Sequence, residues 1–166
     1  MSSGDYGDVG VGGLATAGGI GWLGRQHGLT IDHVVAAEII TADARRLRVD
    51  RDNHADLFWA LRGAGGNFGV VTAFELEAYD VGDVIFAQLT YDLSDARAVL
   101  PRWAEAVVNA PRALTSFLTM GPARRGSQAM GQASIVIADP HSEHAEAMLR
   151  PFIEAGPLLG SQAYVI

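Results

Sequence analysis

The 166-residue chain carries a formal net charge of −7, so it lacks the clustered cations that a nucleic-acid backbone or an anionic membrane surface requires. All 12 basic residues are arginine and there is no cysteine, which excludes a lysine Schiff base, the lysine of a Walker loop, disulfides, thiolate metal sites and cysteine nucleophiles. With 49% apolar residues the composition is globular, and the length suits one sizeable core or two small lobes.

Taken in order, Met1-Ser2-Ser3-Gly4-Asp5 has neither the basic region nor the apolar core of a secretory leader. No apolar run approaches the roughly 18–20 residues of a membrane span. A soluble, cytoplasmic protein is expected. Next comes a glycine-rich stretch, Val9 to Trp22, with glycine at 10, 12, 13, 18, 19 and 21. Ordering so much glycine costs backbone entropy, and the stretch is expected to resist forming an ordinary helix. Such a run stays ordered where bare backbone must approach something closely, and its N–H groups then make an anion-binding concavity. This points to a phosphate-bearing cofactor, the alternative being a tight-turn or close-packing segment.

Beyond it, Gly21 to His27 suits a short helical turn with Trp22 and Leu23 inward, closed by Gly28. Ile31 to Thr41 and Leu47 to Val49 read as a hairpin around Ala42-Asp43-Ala44-Arg45, although Ala44 stands where glycine is usual. Asp52 or Asn53 can cap a helix through Asp56 to Leu61 that stops at Arg62-Gly63. Phe58 and Trp59 are read as core. A second glycine cluster, Gly63 to Gly69, leads into a half-buried strand from Val70 to Ala78.

The composition shifts near Asp80 to Asp83, which marks a lobe boundary. The second half reads as strand (84–91), helix (94–110), strand (114–120), polar turn (121–127), strand (129–138) and helix (142–154). The first of these helices has an apolar stripe at Val99, Trp103, Ala106 and Val107, an N-cap in Asp92 or Ser94, and an end at Pro111. Pro140 and Ser142, with Glu143 and Glu146, suit the start of the second. The expected class is α+β, with an antiparallel sheet and helices in the second lobe.

Several motifs are weighed and set aside. Gly10 to Ala15 matches G-x-G-x-x-A, but no buried strand precedes it and more glycine follows, so the dinucleotide-fold reading fails. His141 and His144 are three apart without a third ligand nearby, which reads as a solvated helix start rather than a metal site. His27, His33 and His54 read as surface or capping groups. Ser127 lacks the second glycine of a nucleophile elbow.

The order and spacing of Val-Gly-Val-Gly-Gly-Leu, Gly-Gly-Ile-Gly-Trp-Leu-Gly, Gly-Leu-Thr-Ile-Asp-His-Val-Val-Ala-Ala-Glu-Ile-Ile-Thr-Ala-Asp and Asp-Leu-Phe-Trp-Ala-Leu-Arg-Gly-Ala-Gly-Gly-Asn-Phe-Gly-Val-Val-Thr are a more specific signal. Over Val9 to Glu77 the chain resembles the FAD-linked oxidases of the berberine bridge enzyme type, within the vanillyl-alcohol-oxidase and p-cresol-methylhydroxylase group. The resemblance implies that residues 1–80 form the C-terminal part of an FAD-binding domain and residues 81–166 the opening part of the substrate domain. It implies that Gly10, Val11, Gly12 and Gly13 pass near the ribityl chain and flavin edge. Gly18, Gly19 and Gly21 would offer amides to the pyrophosphate, beside Trp22. The hairpin at Val35 and the turn Asn67, Gly69, Val70 would enclose the adenosine end. Tyr6 stands where such enzymes often carry a flavin-linking cysteine, and is the one candidate for contact with the reacting ring.

The implied activity is hydride removal from a small alcohol, sugar or amine-like substrate to flavin and on to oxygen. No catalytic residue is assigned. The lobe that carries the linking histidine in this family and the later catalytic part have no counterpart in the 166 residues. The chain is therefore expected to be a central fragment that binds FAD weakly or not at all and is inactive alone. Its partner would be a complementing N-terminal lobe or a second copy of itself. The alternative is a non-catalytic α+β module that self-associates.

Overall fold

The computed structural model describes residues 4–121, 128–139 and 141–166. The expected polar turn over 122–127, with Ser127, and the position of Pro140 lie outside the described residues, as does the side chain of Ser142. The chain divides into two compact units, Met1–Asp80 and Val81–Ile166.

The first unit begins with a departure from expectation. Val11–Thr16 of the glycine-rich stretch forms a six-residue helix, α1. Two features offset the entropy cost of its glycines. Ala15 is fully buried, and the Thr16 hydroxyl lies 3.2 Å from the carbonyls of both Gly12 and Gly13, closing the turn. After it come α2 (Gly24–His27), closed by Gly28 as the sequence predicts, and a 3-10 turn at Thr30–His33 where the strand was expected to start.

Strand β1 (Val34–Ile40) pairs antiparallel with β2 (Arg46–Asp50) on one side and β3 (Val70–Leu76) on the other. The hairpin turn holds Ala44 in the left-handed region, at φ 62°, which is why glycine is usual there. Asp50 turns the chain after β2. Its carboxylate accepts the amides of Asp52 and Asn53 and the Asn53 side chain. These bonds, that from the Asn53 side chain foremost, hold its pKa below the usual carboxylate range. With Asn53 so engaged, the next helix, α3 (Ala55–Ala64), starts after His54 instead. Regular helical geometry in α3 breaks at Arg62 and Gly63, and Gly63 takes φ 135° without strain.

Ala15, Val34, Ala37, Ile39, Val49, Phe58 and Leu61 make the core of this unit. Trp59 does not join it. It is 79% exposed, because α3 turns Phe58 and Leu61, with Leu57 half-buried beside them, toward the core. His33, read as a surface or capping group, is instead buried, and neither ring nitrogen has a hydrogen-bond partner. It meets the Tyr79 ring edge-on, and Tyr79 stacks on His27. Burial, then the neighbouring Glu77 carboxylate, push the Tyr79 phenol up.

The second unit is a four-stranded antiparallel sheet in the order β5-β6-β4-β7, made of β4 (Ile85–Asp92), β5 (Leu114–Met120), β6 (Met130–Ile137) and β7 (Leu158–Val165). The helices are α4 (Ala96–Asn109) and α5 (Ser142–Ile153). Strand β4 alternates strictly. Ile85, Ala87, Leu89 and Tyr91 pack in one core with Val99 and Ala106 of α4 and Leu149 and Phe152 of α5. The Trp103 indole, on the expected stripe, donates to the Ser116 hydroxyl at 3.3 Å. Asp92 shapes the approach to α4 by accepting the Ser94 amide, while Asp95 occupies the N-cap position. Strand β7 was not expected. Its alternation is blurred by Gly160, Ser161 and Gln162, and its existence is set by pairing with β4.

The Tyr91 hydroxyl is buried and donates to the Phe152 carbonyl at 2.6 Å, tying the sheet to the end of α5. Burial pushes its phenol up to about 12. Since the folded pKa lies above the unfolded one of about 10, this stabilisation is complete below about pH 10 and is lost as pH rises toward 12. Tyr91→Phe is expected to cost about 1–2 kcal/mol at neutral pH, through the carbonyl left unpaired. Chemical denaturation from pH 8 to 12 checks both statements. The variant should lose less stability than wild type over the alkaline range.

Candidate functional site

The glycine-rich stretch is fixed in space by Thr30. Its backbone amide donates to the Gly19 carbonyl at 2.9 Å and its hydroxyl to the same oxygen at 3.2 Å, while the Ile31 amide takes the Gly18 carbonyl at 2.8 Å. Thr30 is fully buried, so these bonds are shielded from water. Gly18 and Gly19 both have positive φ, 107° and 80°. Their carbonyls are thus turned into the protein, and among the described residues their own amides donate to nothing.

The glycines then separate by the job each does. A Cβ on Gly19 would collide with the Thr30 side chain, and one on Gly12 would press on Phe74 at 3.3 Å. Gly21 is buried. By contrast, Gly10, Gly13 and Gly18 have nothing within 4 Å of where a Cβ would stand. The second glycine cluster is docked onto the first, since a Cβ on Gly65 would lie 3.0 Å from the Thr16 Cβ of α1. Gly69, at φ 150°, crosses so closely over the Ile40 carbonyl that a side chain there would strike it.

Open space adjoins this arrangement. Gly4, Asp5, Tyr6, Gly7, Val9, Val11, Leu14 and Trp22 line a cleft of about 320 Å³. Tyr6 and Val11 are exposed there, at 66% and 43%. The volume lies at the lower end of ligand pockets, which run from about 300 to 1,000 Å³. It suits one part of a dinucleotide rather than the whole.

The structure therefore brings together Tyr6, Gly10, Val11, Gly12, Gly13 and Trp22 around α1, with Gly18, Gly19 and Gly21 in the segment that follows. It sets others apart. Val35 is exposed near the start of β1, whereas Val70 pairs with Ile40 at the strand's far end. Asn67 is exposed, and its side-chain amide donates to the Ala64 carbonyl.

A further surface lies in the second unit and carries no sequence motif. On the face of the sheet opposite the Tyr91 core, Phe117 is in register with Ser134, which faces Gln88, which faces Gln162. One row away, Phe86 is paired with Tyr164, ring centroids 5.5 Å apart, and the Gln162 amide donates to the Gln88 side-chain oxygen. The period-2 alternation of 84–91 was the available signal, since it puts Phe86, Gln88 and Thr90 on one side. Only cross-strand register shows that they share that side with Phe117 and Tyr164.

At the start of α5, His144 Nδ1 lies 3.1 Å from Asp139, and no group of three or more metal-ligating side chains occurs among the described residues. Nor is any helix among them long and apolar enough to cross a membrane.

No family model matches the chain. Across 162 residues, 94% of the chain, it is 34% identical to the FAD-linked oxidoreductase YgaK of Bacillus subtilis, of which it covers 35%. It is 42% identical over 85 residues to glucooligosaccharide oxidase of Sarocladium strictum, 51% of this chain and 17% of that one. The solved structure of 6-hydroxy-D-nicotine oxidase from Arthrobacter nicotinovorans superimposes with a TM-score of 0.88 at 25% identity, over 99% of this chain and 36% of that one. The homologues of this chain are FAD-linked oxidoreductases, and its α+β fold is that of berberine-bridge-type flavoproteins. The chain spans about a third of the length of YgaK and of the nicotine oxidase.

Two substitutions separate the glycines that pack from those that face outward. Gly19→Ala is expected to destabilise the first unit by more than about 2 kcal/mol, from collision with Thr30 added to positive-φ strain. Gly13→Ala, inside α1 with open space beyond it, is expected to stabilise by about 0.5–1 kcal/mol. Thermal unfolding followed by circular dichroism distinguishes the two.

Proposed function

We propose that this chain contributes one wall of an FAD site and one wall of a substrate site to an FAD-dependent oxidoreductase acting on a small alcohol, sugar or amine-like molecule. On this reading, residues 1–80 are the C-terminal part of an FAD-binding domain and residues 81–166 the N-terminal part of a substrate domain. The observation that carries it is a glycine-rich stretch in which Gly10 and Gly13 have nothing within 4 Å of where a Cβ would stand while Val9, Val11, Leu14 and Trp22 line a cleft, in a chain 34% identical to an FAD-linked oxidoreductase over 94% of its length.

When bound, FAD supplies acceptance of a hydride from the substrate carbon and its passage to oxygen. The residues of this chain bind and orient. Gly10 and Gly13 would allow the ribityl chain to lie against backbone, and the amides of Gly18 and Gly19 would face the pyrophosphate, where converging N–H dipoles replace the lysine the chain lacks. Tyr6, Val11 and Trp22 wall the flavin side, while Asn67, Gly69 and Val70 would lie toward the adenosine; Val35, at the other end of β1 from Val70, is not part of that wall. The sheet face with Phe86, Phe117, Tyr164 and the Gln88–Gln162 pair offers aromatic planes and amide groups, the chemistry that receives a hydroxylated ring. Glucooligosaccharide oxidase, a relative by sequence, favours sugars as the substrate class. No residue here is assigned the role of base, and the chain alone is proposed to be inactive.

A cleft that holds part of a dinucleotide binds it weakly, because ordering costs are met by only part of the contacts. The chain should therefore purify without stoichiometric flavin absorbance, yet show a saturable rise in thermal midpoint with added FAD. Gly13→Leu should remove that rise without lowering the midpoint of the free protein. An FAD response identical in the variant, or none at saturating FAD in the wild type, would count against the glycine backbone as a flavin wall.

A further inference from the structure

Strand register fixes the make-up of the sheet face that carries Phe86. The row Phe117–Ser134–Gln88–Gln162 is followed along the strands by Thr119, Gln132, Thr90 and Gly160, again in register. From Phe86 to Thr90, and opposite them on the neighbouring strands, no residue of this face is charged. The next residue of β4 on the same side is Asp92, and its carboxylate is engaged by the Ser94 amide.

The Gln88–Gln162 hydrogen bond decides what the face offers. With the Gln162 amide donating to the Gln88 oxygen, the Gln162 oxygen and the Gln88 N–H groups are left over, an acceptor beside a donor. Turning both amides over exchanges their roles, so an acceptor and a donor are presented together in either case. Gly160 follows Gln162 on this face and pairs with Thr90. Nothing lies within 4 Å of where its Cβ would stand, so a ring can come down onto the strand there.

We propose that this face selects an uncharged hydroxylated ring and rejects the same ring bearing an ammonium or a carboxylate. The proposal rests on the face being one wall of a substrate site. A hydroxyl both donates and accepts, so two neighbouring hydroxyls satisfy the Gln162 oxygen and the Gln88 N–H groups at once. An ammonium only donates and a carboxylate only accepts, so each leaves one member of the pair unmatched. Neither finds an opposite charge on this face, and a charge taken out of water without one is strongly disfavoured. Rejection is therefore built in alongside attraction. These matches depend on what the wall is made of, whatever stands opposite it.

The test uses the full chain and sugars that share a pyranose ring: glucose, glucosamine and glucuronate, at about pH 6, where the amine is protonated and the acid ionised. Nuclear magnetic resonance titration should show saturable shifts of the Gln88 and Gln162 side-chain amides with glucose. Affinities for the two charged sugars should be lower by about tenfold or more. Gln162→Glu puts an acceptor-only charge into the pair, so it should lose glucose affinity and bring glucosamine level with glucose or ahead of it. Gly160→Val covers the bare backbone with a good strand former, and should abolish the glucose shifts with circular dichroism unchanged. Equal affinities for all the sugars, a Gln162→Glu chain that still prefers glucose, or undiminished glucose shifts in Gly160→Val overturns the inference while leaving the face as a substrate wall. No saturable shift with any of the sugars removes the wall itself, and the inference falls with it.

Discussion

The grip of Thr30 and Ile31 on the carbonyls of Gly18 and Gly19 is the constraint from which the rest of the first unit follows. Those bonds turn two consecutive carbonyls into the protein and pin the end of a stretch that, by composition, would otherwise sample many conformations. With that end held, α1 can form in spite of its glycines, closed by Thr16 and anchored by the buried Ala15. Thr16 in turn lies so close to Gly65 that a Cβ there would press on it, which brings the two glycine clusters together. The same turning of the carbonyls leaves the amides of Gly18 and Gly19 available, which is the property that an anion site needs.

Glycine thus serves two different purposes in one stretch. At 12, 19, 65 and 69 it makes room for the protein's own atoms, and a Cβ would press on Phe74, Thr30, Thr16 or the Ile40 carbonyl. At 10 and 13 no neighbouring atom within the described structure requires the missing side chain, whereas Gly18 is required by its positive φ of 107°. The second unit shows a parallel division. Tyr91 and its neighbours on one face of the sheet are committed to the α4–α5 core, whereas Phe86, Gln88, Gln162 and Tyr164 pair with one another on the other face.

Much of this was legible in the sequence because it rests on local chemistry. The stop at Arg62-Gly63, the turn at Ala44, the closure of α2 at Gly28 and the stripe from Val99 to Val107 each follow from a dihedral preference or a helical period. The misreadings share one cause. Trp59 looked like core because its neighbours are apolar, but exposure depends on which side of α3 meets the sheet. His33 looked like a surface group because imidazole is polar, yet it lies beneath Tyr79, more than forty residues away in the chain. Strand β7 has too little alternation to announce itself and exists because β4 supplies a template.

The sequence by itself determined the α+β class, most element positions, and the glycine pattern that ties the chain to flavin-dependent relatives, since backbone conformation and hydrophobic period are written within a few residues. Only the tertiary structure decided which glycines are spent on internal packing and which face open space. It also decided which side chains of the second sheet share a face. Those outcomes depend on contacts between segments far apart in the chain, such as Thr30 on Gly19 or Tyr164 beside Phe86, and no local pattern records them.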